Sequence, residues 1–534
     1  MKPPIPLVSF AFLSYALLSS VPAADGPGTP LLPPQKMGDA KAGQDVFRFE
    51  TFGNEGFWTD AARMLQGMAD AKMTPKQTLE AGVQVDADAI PAELKEALAK
   101  ELKTDLSPAN APLMNDPATA VKLIEANAVI GFVPVHADGT RGGAMKLPPA
   151  GTDKVGVSCA LCHTITDKSV FDLPAGGSVG KRLDGRAGLN LNVGKLLATC
   201  ANTRVFYTIV HADLGKVNTV ARKTSSKPLT ADSTEADFDA YFTDKELFPV
   251  GAFDDTPDGN GNPVIIPAFF RQDLAAPYGS NGQLPKLDDF NNQVFSILFD
   301  QTMLATPEGL EFLKANAGAA GEKLHAEYTK ILRQTGVTGF PYVKAQKKGK
   351  VGDPDALLAH RVDDQKLLDL SAYLASLPAP KGAAIEPKLV AQGRAIFTAN
   401  CTNCHNVDQS LPVPPLIIDL KTMWPAYKPV TVAERQAPMT PIQNSPGIFD
   451  DKMIVVDASP GGGIRGTALP LLLDLARRTV FLHDGSVTGG LDELLDSKRG
   501  KSAPHPFYIG GKERAAVVGF LRSLDTGEPA GARK

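Results

Sequence analysis

The sequence predicts a mainly α protein in which two helical units with long loops carry an N-terminal extension or insertion. Three observations predict this class. A five-residue pattern of two cysteines and a histidine occurs twice, at Cys159-Ala160-Leu161-Cys162-His163 and at Cys401-Thr402-Asn403-Cys404-His405. A Gly-x-x-x-Phe spacing, which sets a small and a large residue on one helical face, recurs at Gly43/Phe47 and Gly393/Phe397. Two apolar segments then align as closing helices, Tyr373-Leu374-Ala375-Ser376-Leu377 with Phe520-Leu521-Arg522-Ser523-Leu524.

At 534 residues the chain is too long for one hydrophobic core and is expected to form two or three domains. Hydrophobic residues at 43% and charged residues at 21% are ordinary for a globular protein. A formal net charge of -4, with no basic run dense enough to track phosphates, argues against nucleic acid as a partner. Forty-nine Gly and 43 Pro mean that loop separates the helices.

The first residues give the destination. Lys2, the apolar run Leu7 to Leu18 and the small residues of Val21-Pro22-Ala23 form a signal peptide at 1–23, cut after Ala23. The apolar run is shorter than the roughly 20 residues that a membrane helix needs. No later stretch is apolar enough to span, so the mature chain is expected to be exported, without a membrane span, into the periplasm.

Residues 24–150 form either a separate N-terminal extension or an insertion in the first unit, after the opening helix "AKAGQDVFRFE". The first unit occupies 151–380. Its polar, turn-rich stretch between 210 and 285 is expected to loop over the first cysteine motif. The helix "DDQKLLDLSAYLASL" closes it, and Pro378 and Pro380 mark a linker near 378–387. The second unit occupies 381–534. It opens on "KLVAQGRAIFTAN", where Leu389, Ala391, Ile396 and Phe397 offer an apolar surface, and closes on Val517, Phe520, Leu521 and Leu524.

Cys-x-x-Cys can serve a disulfide, a redox dithiol, zinc or a covalent haem. In an oxidising compartment a plain dithiol tends to close, and zinc-finger-like sites are uncommon. Histidine directly after the second cysteine is the attachment pattern of c-type haem. Two thiols on one helical turn reach the two vinyl groups of a haem edge, and the next imidazole falls under the iron. Cys159, Cys162 and His163, and Cys401, Cys404 and His405, are therefore expected to hold two covalently bound haem c groups. One zinc site shared by both motifs is the competing reading. Cys200, left over, reads as a buried core thiol.

The sixth iron ligand separates electron transfer from oxidant binding. His505 sits between prolines that stiffen its backbone, shortly before the closing helix of the second unit. His483 reads as part of a turn with Asp484, and Met453 offers a thioether. After the first motif, "TITDKSVFDLPAGGSVGKRLDGRAG" contains neither His nor Met. Its Lys181, Arg182 and Arg186 suit either haem propionates or a solvated turn. Trp58 and Trp424 read as buried core rather than as stepping stones for electrons.

A helix before Cys-x-x-Cys-His, crossed by a closing helix through a glycine and an aromatic, resembles the cytochrome c fold. More specifically, "VFRFETFGNEGFWTD", the two motifs, "RTVFLHDGSV" and "SAPHPFYIGGKERAAVVGFLRSLD" resemble the bacterial di-haem cytochrome c peroxidase superfamily, nearest to its rubber-oxygenase-like branch. The resemblance implies two cytochrome c-like haem domains. It implies a low-spin C-terminal haem, bound by His405 and His505, and an N-terminal haem on His163 that takes peroxide or oxygen. The implied function is a periplasmic di-haem oxidoreductase with a small electron-donor or acceptor protein as partner and a small-molecule oxidant. The alternative is a di-haem electron-transfer cytochrome without its own substrate. Di-haem peroxidases proper carry a His soon after the first motif. Its absence here favours an oxygen-activating haem or a ligand from afar, such as His136, His211 or Met303. Relatives hold a calcium ion between domains, for which no acidic loop here provides.

Overall fold

The computed structural model describes residues 36, 38–213, 225, 227–254, 257–259, 261, 263–275, 278–279, 284, 286–401, 417–419, 455–457, 471–482, 485, 487–496 and 509–524. About 45% is helix and 12% strand, so the class is mainly α. The segment 1–23 that is expected to be a signal peptide lies outside the described residues.

Helix α1 (Ala40–Phe49) starts at Asp39, whose side chain accepts from the Ala42 N–H at 2.7 Å. Its buried residues Gly43, Val46 and Phe47 form one stripe. That stripe meets α3 (Asp364–Ser376), more than 300 residues later. A Cβ on Gly43 would lie 1.9 Å from the Asp369 carbonyl oxygen, so only glycine permits this crossing. One turn on, the Phe47 and Tyr373 rings meet at 5.5 Å and 58°.

The second unit repeats the arrangement. Helix α4 (Pro387–Asn400) is capped by Glu386, which accepts from the N–H groups of Lys388 and Leu389. It crosses α5 (Gly511–Ser523). A Cβ on Gly393 would lie 2.0 Å from the Ala516 carbonyl oxygen, and Phe397 meets Phe520 at 5.3 Å and 56°. Both crossings thus use glycine against a carbonyl, with an aromatic pair four residues along each helix. Ala391 departs from its expected apolar role and is exposed, because the contact stripe runs through Gly393 and Phe397 instead.

Apolar clusters carry the core, three of them large. The largest runs from Phe57 to Leu358 without a break at residue 150. Another joins Val46 and Phe47 to Cys159, Ala160, Phe270, Tyr373 and Leu473. A third packs Phe397, Leu475, Phe481, Val517 and Phe520. The sheets are small. Strands β1 (Phe132–Val135) and β2 (Lys154–Val157) pair antiparallel, as do β3 (Thr164–Thr166) and β4 (Arg182–Asp184), and β5 (Lys347–Asp353) and β6 (Ala356–Arg361). These strands were not foreseen from the sequence; four of the six are four residues long or shorter, which leaves no period to read. No helix among the described residues is long and apolar enough to cross a membrane.

Candidate functional site

The first cysteine motif is built between the two pairs of strands. Strand β2 delivers the chain to it, with Phe132 opposite Val157. The Asn54 side-chain amide locks that delivery, donating to the Val157 carbonyl at 2.8 Å and accepting its N–H at 2.9 Å. Ser158 then donates its hydroxyl to the Arg48 carbonyl in the last turn of α1, at 2.8 Å. The short helix α2 (Ala160–His163) follows, and the His163 N–H bonds to the Cys159 carbonyl at 3.1 Å. Gly131, at φ +88°, lets the backbone of Leu161 approach: a Cβ there would lie 2.2 Å from the Leu161 Cα.

Beyond the motif, β3 pairs with β4 and brings Asp184 opposite Thr164. Asp184 accepts from Thr164 Oγ1 at 3.0 Å, Tyr373 OH at 2.6 Å and Arg48 Nε at 2.6 Å. One carboxylate thereby ties α1, the closing helix α3 and the segment leaving the motif.

The turn-rich stretch between 210 and 285 does reach His163. The Pro267 carbonyl lies 3.0 Å from His163 Nδ1, and the Phe269 ring stacks on the imidazole at 3.7 Å and 15°. With Nδ1–H donated to Pro267, the lone pair of His163 sits on Nε2, in the ring plane and clear of the stacked face. Burial pulls the His163 pKa down to about 4 against the Pro267 bond, so the imidazole is neutral at physiological pH. Burial pushes Cys159 and Cys162 up to about 12, and the two sulfurs form no disulfide. These are hydrogen-bearing thiols, unlike the thiolates of redox dithiols. Among the described residues no group of three or more His, Cys, Asp or Glu side chains is placed to hold a metal ion.

Cys401 opens the second motif as the C-cap of α4, its N–H bonded to the Phe397 carbonyl at 2.7 Å. Cys404, His405 and His505 lie outside the described residues, as do His483, Asp484, Met453 and Trp424. His136 bonds through both ring nitrogens to Asp153 and the Gly142 carbonyl, and Met303 is buried in the largest cluster. His211 is buried, and its Nδ1 has no partner among the described residues. Cys200 is buried with its thiol 3.7 Å from the Leu196 carbonyl, and Trp58 packs beside Phe57 and Phe206.

The three basic residues after the motif separate. Lys181 is exposed. The Arg182 side chain is paired to Asp86 at 2.5 Å and donates to the Asn127 carbonyl at 3.1 Å. Arg186 is half-buried against the Phe270 ring and pairs with Asp474 at 2.9 Å. Pro267, Phe269, Ser158 and Asn54 were not singled out by sequence reasoning: Pro267 acts through its backbone carbonyl, and Phe269 brings one ring from a loop with no motif.

The chain matches no family model, no curated protein and no solved structure.

Proposed function

We propose that the chain is an exported, periplasmic di-haem c-type oxidoreductase. In this reading Cys159 and Cys162 tether one haem with His163 as its axial ligand. Cys401, Cys404 and His405 hold the second, with His505 opposite as sixth ligand. The observation that carries the reading is the state of His163: a neutral imidazole, fixed by Pro267 and Phe269, with Nε2 left for a metal. The residues fit the group. Each thiol adds across a vinyl C=C, the sulfur bonding one carbon and the thiol hydrogen ending on the other, so no oxidant is consumed. Reduced cysteines beside each other, free of a disulfide, are the form that this addition requires.

Haem, when bound, supplies one-electron chemistry and an iron site for peroxide or oxygen. The chain's part is to orient. Pro267 fixes the His163 tautomer, Phe269 fixes the ring plane, and Asp184 and Ser158 hold the motif against α1 and α3. The shared glycine-and-aromatic crossing supports two related haem units, and Ser158 on Arg48 supports residues 50–157 as an insertion within the first. A small redox protein as partner, and peroxide or oxygen at the first haem, complete the reading.

The test is spectroscopic. Alkaline pyridine treatment of the mature protein should show two porphyrins per chain, and electron paramagnetic resonance one low-spin and one high-spin iron. Two low-spin irons and no carbon monoxide binding would convert the reading to a relay cytochrome. A missing Soret band would end it.

A further inference from the structure

A small apolar pocket shares a wall with the first cysteine motif. It encloses about 20 Å³. Three thioethers line it: Met64 and Met68, one turn apart on the helix Met64–Asp70, and Met73 just beyond. A neighbouring pocket, lined by Leu79 and Leu123, encloses about 10 Å³, which is the lower limit for one water molecule. The first pocket is therefore the one with room for a guest.

The shared wall is the segment that enters β1. Val129 and Phe132 line the pocket, while Ile130 between them belongs to the apolar cluster of Cys159 and Ala160. Gly131 brings the same segment against the backbone of Leu161, inside the motif. Phe132 stands opposite Val157, the last residue of β2, which delivers the chain to Cys159. A guest in the pocket is thus separated from the motif by a single stretch of chain.

The lining selects that guest. Its two hydroxyls are spent within their own helical turns: Thr78 Oγ1 donates to the Thr74 carbonyl at 3.0 Å, and Thr199 Oγ1 to the Lys195 carbonyl at 2.8 Å. Water in a cavity needs roughly two to four polar partners, and these side chains offer it no free donor. Hydrogen peroxide, with an O–H group at each end, would forfeit still more hydrogen bonding on entry. A nonpolar diatomic forfeits none, and polarisable sulfur attracts it by dispersion. We propose that this pocket is a binding site for dioxygen. Dioxygen, rather than peroxide, is then the oxidant held beside the first haem, a step that rests on the two-haem reading above.

The test uses the full mature holoprotein, isotope-labelled in its methionine methyl groups for nuclear magnetic resonance. Dissolved dioxygen is paramagnetic and broadens the signals of methyl groups it touches, so spectra under dioxygen and under nitrogen pressure locate it. Met64, Met68 and Met73 should broaden well beyond Met303, which is fully buried in the largest cluster but does not line the pocket. Broadening no greater than that of Met303 would overturn the site. Val83→Ile adds one methyl group to the pocket wall. It should abolish the excess broadening and slow reoxidation of the reduced protein by dioxygen several-fold, leaving reoxidation by peroxide unchanged; Val129→Ile repeats the measurement if Val83→Ile fails to fold. Lost broadening with an unmoved dioxygen rate would overturn the assignment of dioxygen to the first haem. A chain without porphyrin would overturn the two-haem reading, and excess broadening at the three methyl groups would still support the site.

Discussion

Ser158 donates its hydroxyl hydrogen to the carbonyl of Arg48 at 2.8 Å, closing a span of 110 residues. This bond sets the start of the first cysteine motif against the end of α1. In the second unit the chain does the same without a detour: the Cys401 N–H bonds the Phe397 carbonyl as α4 ends. Both motifs therefore begin at the C-terminal end of a helix whose glycine and phenylalanine face a closing helix. The first placement is non-local, so it depends on the folding of everything between.

The glycines at the two crossings give the first expectation. Gly43→Ala and Gly393→Ala each push a methyl group to about 2 Å from a backbone carbonyl, which cannot swing aside as a side chain could. Each should destabilise by roughly 1–3 kcal/mol, the usual cost of overpacking a tight contact. Denaturant melts read by circular dichroism would show it as a lower midpoint. Changes within about 0.5 kcal/mol for both variants would mean that the crossings are looser than described.

Cys162→Ser gives the second. In the proposed two-haem reading it leaves one vinyl group of the first haem unsaturated while Cys159 still tethers it. The pyridine haemochrome should then broaden to longer wavelength, as a mixture of singly and doubly linked porphyrin, with the total near two. An unaltered spectrum would show that Cys162 forms no thioether.

Much of the site was legible because it is written in short spacings. Gly43 with Phe47, Gly393 with Phe397 and the aromatic-led closing helices each fall within one or two turns, where a pattern can be read. Pro267 and Phe269 could not be read. One contributes a carbonyl that every residue possesses, and the other is one phenylalanine among 25. Their loop lies more than 100 residues from His163, and no local period encodes that meeting. Arg182 illustrates the opposite failure. Its place in a basic run suggested a solvated or anion-facing residue, whereas burial beside Asp86 commits it to an ion pair.

A buried charge cluster gives the third expectation. Arg361, on β6, pairs with Asp288 at 2.6 Å, Asp289 at 3.0 Å and also Asp364. Arg361→Ala would leave Asp288 buried without Arg361 and Asp289 with Lys286, at 4.0 Å, as its remaining cation, at a cost of about 3–5 kcal/mol near neutral pH. Burial, and then Asp288, raise the Asp289 pKa to about 6. The native state thus binds that proton more tightly than the unfolded chain does, and stability falls as pH rises from about 4 to about 6. The variant should therefore be closer to the parent at pH 4 than at pH 7. An equal deficit at both values would remove the electrostatic explanation.

The loop joining β1 and β2 gives the last, which concerns pH. His136 reaches Asp153 through Nδ1 at 3.1 Å and the Gly142 carbonyl through Nε2 at 2.8 Å. Both partners accept, so both bonds form only when the ring carries two hydrogens and is cationic. The Gly142 carbonyl, and then Asp153, hold its pKa above the ordinary imidazole value. The stabilisation is complete below the unfolded value of about 6.5 and is lost as pH rises through the higher folded value. Asp153 has the opposite sense. The Lys146 N–H and His136 keep its pKa low, so its share is lost only when acid titrates it. The loop should therefore be most protected in mildly acidic solution and loosen on the alkaline side, while Arg141, paired to Asp45 on α1, keeps its far end attached. Hydrogen exchange of residues 137–152, corrected for intrinsic rates, should show protection falling with rising pH. His136→Gln should abolish that dependence, and a pH-independent profile in the parent chain would overturn the account.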